Sequence, residues 1–128
     1  MKLVVLEKVS LGNDIDISFF EEFGDVTYYD TTTSEQVAER VKDAEIIIAN
    51  KAPLNESTLA GAKNLKLISE TATGYNNVDL EYCKSRGIKV TNAVGYSTPV
   101  VAQHTFAMAL YLLEKLPAYD SYVKNGEY

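Results

Sequence analysis

Short apolar runs of strand length recur along the chain at a steady interval, and this feature restricts the fold more than any other. The runs are LVVL (3–6), VTYY (26–29), IIIA (46–49), LKLIS (65–69) and IKVT (88–91). Their β-branched and aromatic residues are typical of strands. Segments with helical features separate the runs. Strands that alternate with helices predict a parallel sheet with helices on its faces.

The segments between the runs carry several helix signals. Residues 15–23 place apolar side chains at near-helical spacing, and residues 54–62 form a weaker, shorter pattern. Thr33 followed by Gln36 is a capping-box pattern, and Gly87 suits the position after a helix end. These units predict an α/β fold of the flavodoxin-like, doubly wound type, with a five-stranded parallel sheet in the order 2-1-3-4-5 inside three α/β/α layers.

A long helix is predicted over residues 99–116. Thr98 is expected as its N-cap, with Pro99 at the first helical position. Apolar residues occupy nearly every face of this helix, so it needs partners all round, and its own sheet can cover only one side. We therefore expect the chain to associate as a homodimer through this helix.

Composition and charge exclude several classes of protein. The net charge is −6 and the 12 Lys and Arg residues do not cluster, which argues against nucleic acid as a partner. The longest apolar region, 99–113, is too short to span a membrane, and the start of the chain does not resemble a signal peptide. A single cysteine, Cys83, fits a reducing compartment, so we expect a cytoplasmic protein. No metal site is predicted.

Ligands of doubly wound domains bind outside the carboxyl ends of the strands. The candidate loops are 8–14, 30–33, 50–55, 70–78 and 92–98. A flavin phosphate is a poor fit to the loop after the first strand, because EKVSLGND has one glycine and two acids. A phospho-acceptor receiver domain needs an Asp at the end of the third strand, where this chain has Ala49-Asn50-Lys51. Both classes are therefore disfavoured.

The loop after the fourth strand, TATGYNN (71–77), carries the most information. Gly74 allows either a positive φ or a close backbone approach to a ligand. Asn76 and Asn77 tolerate turns and can cap a helix that begins near Val78. Successive free N–H groups at such a turn form an anion site. The alternative, a tight strand–helix turn with nothing bound, stays open on local chemistry alone.

Residues 68–113, ISETATGYNNVDLEYCKSRGIKVTNAVGYSTPVVAQHTFAMALYLL, closely resemble the D-isomer-specific 2-hydroxyacid dehydrogenases. The nearest branch is that of glycerate dehydrogenase and hydroxypyruvate reductase. The combination of TGYNNVD, RGI and a helix with VAQHT carries the resemblance. It implies that residues 1–96 are a substrate-binding domain, and that residues 97–128 are a hinge helix and the start of a Rossmann NAD-binding domain.

The resemblance implies roles for individual residues on the substrate side. The loop of Thr73, Gly74 and Tyr75 is expected to present backbone amides to the carboxylate of a 2-hydroxy or 2-oxo acid. Lys51 matches a position near the substrate in some members, where a basic residue can steer an anionic acid. An ordinary exposed lysine is the alternative for Lys51.

The resemblance also implies which residues face the cofactor and which catalytic residues of the family are missing. Thr98 and Val100 match the hinge that faces the nicotinamide, although some relatives carry a serine where Val100 stands. The catalytic Arg, Glu and His of the family have no counterpart here, since His104 matches a position without a catalytic role. No G-x-G-x-x-G occurs in the chain. We therefore expect a truncated dehydrogenase that is inactive alone, whose full-length form moves hydride between NAD(H) and C2 of the acid.

A second class of function stays open at this stage. A stand-alone, non-enzymatic flavodoxin-like domain could hold a small acid or a protein partner with the same loop and the same apolar helix. Nothing in the residues excludes it.

Overall fold

A computed structural model describes residues 1–127 and contains one five-stranded sheet. The strands are β1 (Lys2–Val5), β2 (Asp25–Tyr28), β3 (Ile46–Ala49), β4 (Leu67–Glu70) and β5 (Lys89–Thr91). All four strand pairs are parallel, and the order across the sheet is β2-β1-β3-β4-β5. The predicted sheet and its order are confirmed.

Five α-helices and two 3-10 segments connect and follow the strands. The helices are α1 (Ser34–Val41), α2 (Glu56–Leu59), α3 (Leu80–Ser85), α4 (Thr98–Leu113) and α5 (Leu116–Lys124). The 3-10 segments are Lys8–Leu11 and Ser18–Phe23. The helical pattern over 15–23 is thus a short 3-10 helix over Ser18–Phe23. Near its start Asp16 Oδ1 accepts from the Ser18 amide, and Gly24 is its C-cap.

Helix ends match the sequence signals at two places. The capping box at α1 is present, because the Thr33 amide donates to Gln36 Oε1 at 3.0 Å. Gly87 follows the C-cap Arg86 with a φ of +71°, a left-handed conformation that glycine adopts without strain.

Two predicted helix starts are wrong by one to three residues. The N-cap of α3 is Asp79, whose Oδ1 accepts from the Tyr82 amide at 2.9 Å, because the side chain of Asn77 is engaged elsewhere. The N-cap of α4 is Ser97, so Thr98 is already the first helical residue.

The two faces of the sheet bury separate sets of side chains, as the alternation of side chains along each strand requires. One face packs against α1, α2 and α3. Its fully buried residues include Leu6, Val37, Ile47, Leu59, Ile68 and Cys83. The other face buries Leu3, Val5 and Ile48 with partly buried Leu11 and Phe20 from the two 3-10 segments. The predicted layers are therefore present, with 3-10 turns over β1 and β3.

The chain divides into two compact units, Met1–Val94 and a second that begins at Gly95 and contains α4 and α5. The predicted helix over 99–116 is interrupted after Leu113, since Lys115 adopts a left-handed φ of 52° just before Pro117. No side chain of α4 is buried. Within residues 1–127, no helix has the length and apolar character to cross a membrane. The predicted domain boundary after residue 96 stays a prediction. The last residue of the predicted second domain, Tyr128, lies outside the described residues.

The fully buried side chain of Ile68 in β4 allows a test of the packing by its effect on stability. We expect Ile68→Val to lower the free energy of unfolding by about 0.5–1.5 kcal/mol, because it removes one methylene from a fully buried position. The same change at the exposed Ile15 should have an effect within about 0.5 kcal/mol. Urea denaturation followed by circular dichroism measures both, and equal losses would contradict the packing described above.

Candidate functional site

The loop between β4 and α3 exposes a run of unused backbone amides. The Thr71 amide donates to Ala49 O at 2.8 Å, and the Val78 amide donates to Tyr75 O at 3.0 Å. Between them, none of the amides of residues 72–77 donates a hydrogen bond to any other residue of the range 1–127. Residues 73–76 are exposed. Six successive donors are therefore available to a ligand or to water.

Gly74 lies in the middle of this run. It is not among the glycines with a positive φ, so that part of its predicted role is wrong. A Cβ atom placed at Gly74 would meet no heavy atom within 4 Å. The backbone there faces open space, which agrees with the other predicted role, a close approach of a ligand to the main chain.

The loop is tied to the segment that follows β5. Thr73 Oγ1 donates to Ala93 O at 2.8 Å, and Asn92 Nδ2 donates to Thr73 O at 2.8 Å. The Ala93 amide also donates to Ala72 O at 3.0 Å. These contacts use the side chain and the carbonyl of Thr73 and leave its amide open.

The open amides border a cleft of about 360 Å³ at the carboxyl ends of β3 and β4. Its lining residues are Asn50, Lys51, Ala72, Gly74, Asn76 and Asn77. The structure thus brings together two of the predicted substrate residues, Lys51 and Gly74. Lys51 is exposed and takes part in none of the ion pairs found within residues 1–127. A free cation beside free N–H groups favours an anion.

The other predicted site residues lie outside this cleft. The Tyr75 side chain is 45% exposed and lines a smaller cavity of about 190 Å³ with Leu80, Val90 and Asn92. Thr98 and Val100 lie in the first turn of α4 in the second unit, where both are exposed. Their predicted contact with a nicotinamide stays a prediction.

Two acidic residues near the cleft were not predicted as part of the site. Glu7, which follows β1, accepts hydrogen bonds from the amide of Asn50 at 2.7 Å and from that of Lys51 at 2.9 and 3.1 Å. Glu70, the last residue of β4, is only 2% exposed. The signal that could have identified both is a carboxylate at the carboxyl end of a buried strand, where doubly wound domains bind ligands.

The carboxylate of Glu70 is held by one side chain. Its Oε1 accepts from Asn77 Nδ2 at 2.9 Å, while its Oε2 has no hydrogen-bond partner among the described residues. Burial raises the pKa of Glu70, the hydrogen bond from Asn77 opposes that rise, and the charge of Glu7 adds to it. Within residues 1–127, no group of three or more His, Cys, Asp or Glu side chains could hold a metal ion.

Comparison with known proteins identifies a family and several relatives of this chain. The sequence model of the family described as D-isomer specific 2-hydroxyacid dehydrogenase, catalytic domain, matches residues 3–120. The chain is 33% identical to a hydroxypyruvate reductase of Blautia hydrogenotrophica, over 100% of this chain and 41% of that protein. It is also 33% identical to a glycerate dehydrogenase of Methylorubrum extorquens, over 99% of this chain and 40% of that protein.

A solved structure is similar in both fold and sequence. The D-lactate dehydrogenase of Aquifex aeolicus, in complex with NAD and lactic acid, matches with a TM-score of 0.74 and 32% identity, over 100% of this chain and 38% of that one. The chain therefore spans about two fifths of the length of the relatives that it matches.

The raised pKa of Glu70 makes the stability depend on pH. In the folded chain the Glu70 carboxyl group stays protonated at pH values where the same group in the unfolded chain, with an ordinary pKa of 4.5, has lost its proton. Folding therefore loses stability as the pH rises from 4.5 through the raised pKa. We expect the unfolding free energy of Glu70→Gln, minus that of the unmodified chain, to increase over this range in a series of urea denaturations.

Glu45 provides a control of opposite sign for this pH series. Its pKa is lowered by the side-chain hydrogen bond to Lys66 and by the bond from the Lys2 amide. The stability that Glu45 contributes is present above its unfolded pKa of 4.5 and is lost as the pH falls. The difference for Glu45→Gln should therefore decrease as the pH rises, and a shared sign for the two variants would contradict the assignment of Glu70.

Proposed function

The chain belongs to the D-isomer specific 2-hydroxyacid dehydrogenase family, and from this membership we propose that its cleft binds the carboxylate of a small 2-hydroxy or 2-oxo acid. The observation that carries the proposal is the run of six open amides over residues 72–77, which includes the predicted residues Thr73, Gly74 and Tyr75. A non-enzymatic binding module, the alternative, receives no support from the comparisons.

A carboxylate is the natural ligand for such a site. It is planar, carries a full negative charge and can accept several N–H bonds at once. Each charge-assisted bond contributes roughly 1.5–3 kcal/mol. Lys51 supplies the opposite charge on the facing wall of the cleft. Glu7, a half-buried acid beside the cleft, already has both carboxylate oxygens occupied by the amides of Asn50 and Lys51.

For the whole enzyme we propose hydride transfer between NAD(H) and C2 of the acid. The support is family membership and the Aquifex aeolicus relative, which holds NAD and lactic acid. The residues present fit only the nicotinamide end of such a cofactor, since the first turn of α4 leaves Thr98 and Val100 accessible. The G-x-G-x-x-G loop that binds the pyrophosphate does not occur in the chain. When bound, the nicotinamide would supply the hydride chemistry.

The contribution of this chain is to bind and orient the acid. Holding the carboxylate in the 72–77 loop fixes one end of a small molecule, so that its C2 has a defined position. Residues 1–128 alone are expected to be inactive, because they supply no acid–base pair from the family. We place the protein in the cytoplasm, in keeping with its free, buried Cys83.

Oxamate, an unreactive analogue of a 2-oxo acid, tests the proposed site. We expect it to shift the amide resonances of residues 72–76 in a ¹⁵N-labelled chain, saturably and with a Kd on the order of millimolar. Lys51→Gln should weaken binding about two- to fivefold, because it removes one exposed charge. Lys63→Gln, an exposed lysine elsewhere, should leave the Kd unchanged.

Oxamide, the neutral isostere in which an amide replaces the carboxylate of oxamate, controls for the charge. It should produce no saturable shift of the same amides, since the site is proposed to recognise the carboxylate. Oxamate shifts that spread over the surface without a cluster at 72–76, or equal binding of oxamide, would exclude a carboxylate site in this loop.

We further propose that the chain forms a homodimer through α4. Exposed apolar side chains line the whole helix: Val100, Val101, Phe106, Met108, Leu110, Leu112 and Leu113 are each at least half exposed. An extended apolar surface of this kind is typical of a protein–protein interface. The helix is part of the second unit, whose contacts with other chains would cover it.

Sedimentation equilibrium measures this association. We expect the unmodified chain to have the mass of a dimer, and Phe106→Glu with Leu113→Glu to reduce it to a monomer, because two charges would be buried in the interface. Gln103→Glu, which adds a charge to the same helix at a position that is already polar, serves as control. A monomeric unmodified chain at the concentrations used for spectroscopy would overturn the proposal.

A further inference from the structure

The side chain of Asn77 connects two loops that border the cleft. One Nδ2–H donates to Ala52 O at 3.0 Å, in the loop that follows β3, and Nδ2 also donates to Glu70 Oε1 at 2.9 Å, at the end of β4. The main chain repeats the connection: the Leu54 amide donates to Asn77 O, and the Asp79 amide donates to Leu54 O, both at 2.8 Å.

The partners of Asn77 in this connection are buried, whereas Asn77 itself is half-buried. Ala52 is 2% exposed, Leu54 is 0% exposed and Glu70 is 2% exposed. Buried hydrogen bonds without competing water hold their geometry more firmly than exposed ones. The side-chain amide of Asn77 therefore joins the loop of Lys51 to the loop of open amides through two partly buried hydrogen bonds with buried acceptors.

Glu70, which accepts the second hydrogen bond of the Asn77 side chain, has an unusual environment. Glu70 is buried, one of its oxygens is unpartnered among the described residues, and the other relies on Asn77. A buried carboxylate at the end of a strand costs stability, so its presence requires another explanation. A role in orienting Asn77 provides one, because a carboxylate accepts more strongly than a neutral group.

We propose that Asn77 and Glu70 are positioning residues for the anion site. Together they form a brace that sets the distance between Lys51 on one wall of the cleft and the open amides of 72–76 on the other. This role rests on the proposed function of the cleft. Neither side chain needs to touch the ligand, and an anion that contacts both walls loses affinity when the spacing relaxes.

The test changes the brace while the shape of the side chain is kept. Asn77→Asp removes both donors, and we expect it to weaken oxamate binding about tenfold by NMR titration. Asn76→Asp is the matched control for charge, since Asn76 lines the same cleft and has no part in the brace. It should weaken binding by a clearly smaller factor.

A double variant provides the decisive comparison. Asn77→Asp combined with Glu70→Gln restores the original net charge and allows the introduced glutamine amide to donate to the introduced aspartate. We expect it to recover part of the lost affinity relative to Asn77→Asp alone, as interacting pairs do in a double-mutant cycle. An oxamate Kd for Asn77→Asp equal to that of Asn76→Asp, or a double variant no better than the single one, would overturn the brace.

The unliganded chain separates this proposal from the function on which it rests. If oxamate does not bind the unmodified chain, the carboxylate site fails, and the brace is judged by hydrogen exchange of the Leu54 and Asp79 amides. Exchange about tenfold faster in Asn77→Asp supports the brace, and unchanged exchange overturns it. If Asn77→Asp does not fold, Asn77→Ala is judged by the same two measurements without added charge.

Discussion

The parallel pairing of β3 with β4 is the contact on which the candidate site depends. Its register sets Ala49 opposite Glu70, so the two strands end at the same level and their loops leave the sheet side by side. An isolated parallel bridge between Leu54 and Val78 extends this pairing past the strand ends. The cleft is the gap between two loops that the sheet holds in register, which is where doubly wound folds place their ligands.

An anion site in an acidic protein is favoured only where nearby carboxylates repel the anion little, and two carboxylates near this cleft are hydrogen-bonded or buried. Glu7 is occupied by the amides of Asn50 and Lys51, which also means that these two amides cannot bind a ligand. Glu70 is buried, and burial raises its pKa, which reduces its charge as the pH falls. The cleft is lined by Lys51 and by residues of the 72–77 loop, whose open amides favour an anion there despite a net charge of −6.

The sequence predicted that residues 71–77 connect the fourth strand to a helix, as they do in the structure, but it did not predict the contacts of this loop. Asn76, Asn77 and Asp79 all have side chains that can cap a helix, so local pattern could not choose between them. In the structure Asp79 caps α3, because Asn77 points its amide at Ala52 and Glu70. The pattern over 15–23 is another case: apolar spacing was read as an α-helix, and a 3-10 helix formed in a connection between Asp16 and Gly24.

The sequence by itself determined the parallel sheet, the order of its strands, and the candidate status of the carboxyl edge and of loop 71–77. These follow from side-chain periodicity and turn chemistry, which act over a few neighbouring residues. Only the tertiary structure decided which polar groups meet there. The contact of Glu7 with Asn50 joins residues 43 positions apart, and that of Asn77 with Ala52 joins residues 25 apart. Such pairs depend on strand register, which no local pattern specifies, and burial then decides which of them hold firmly.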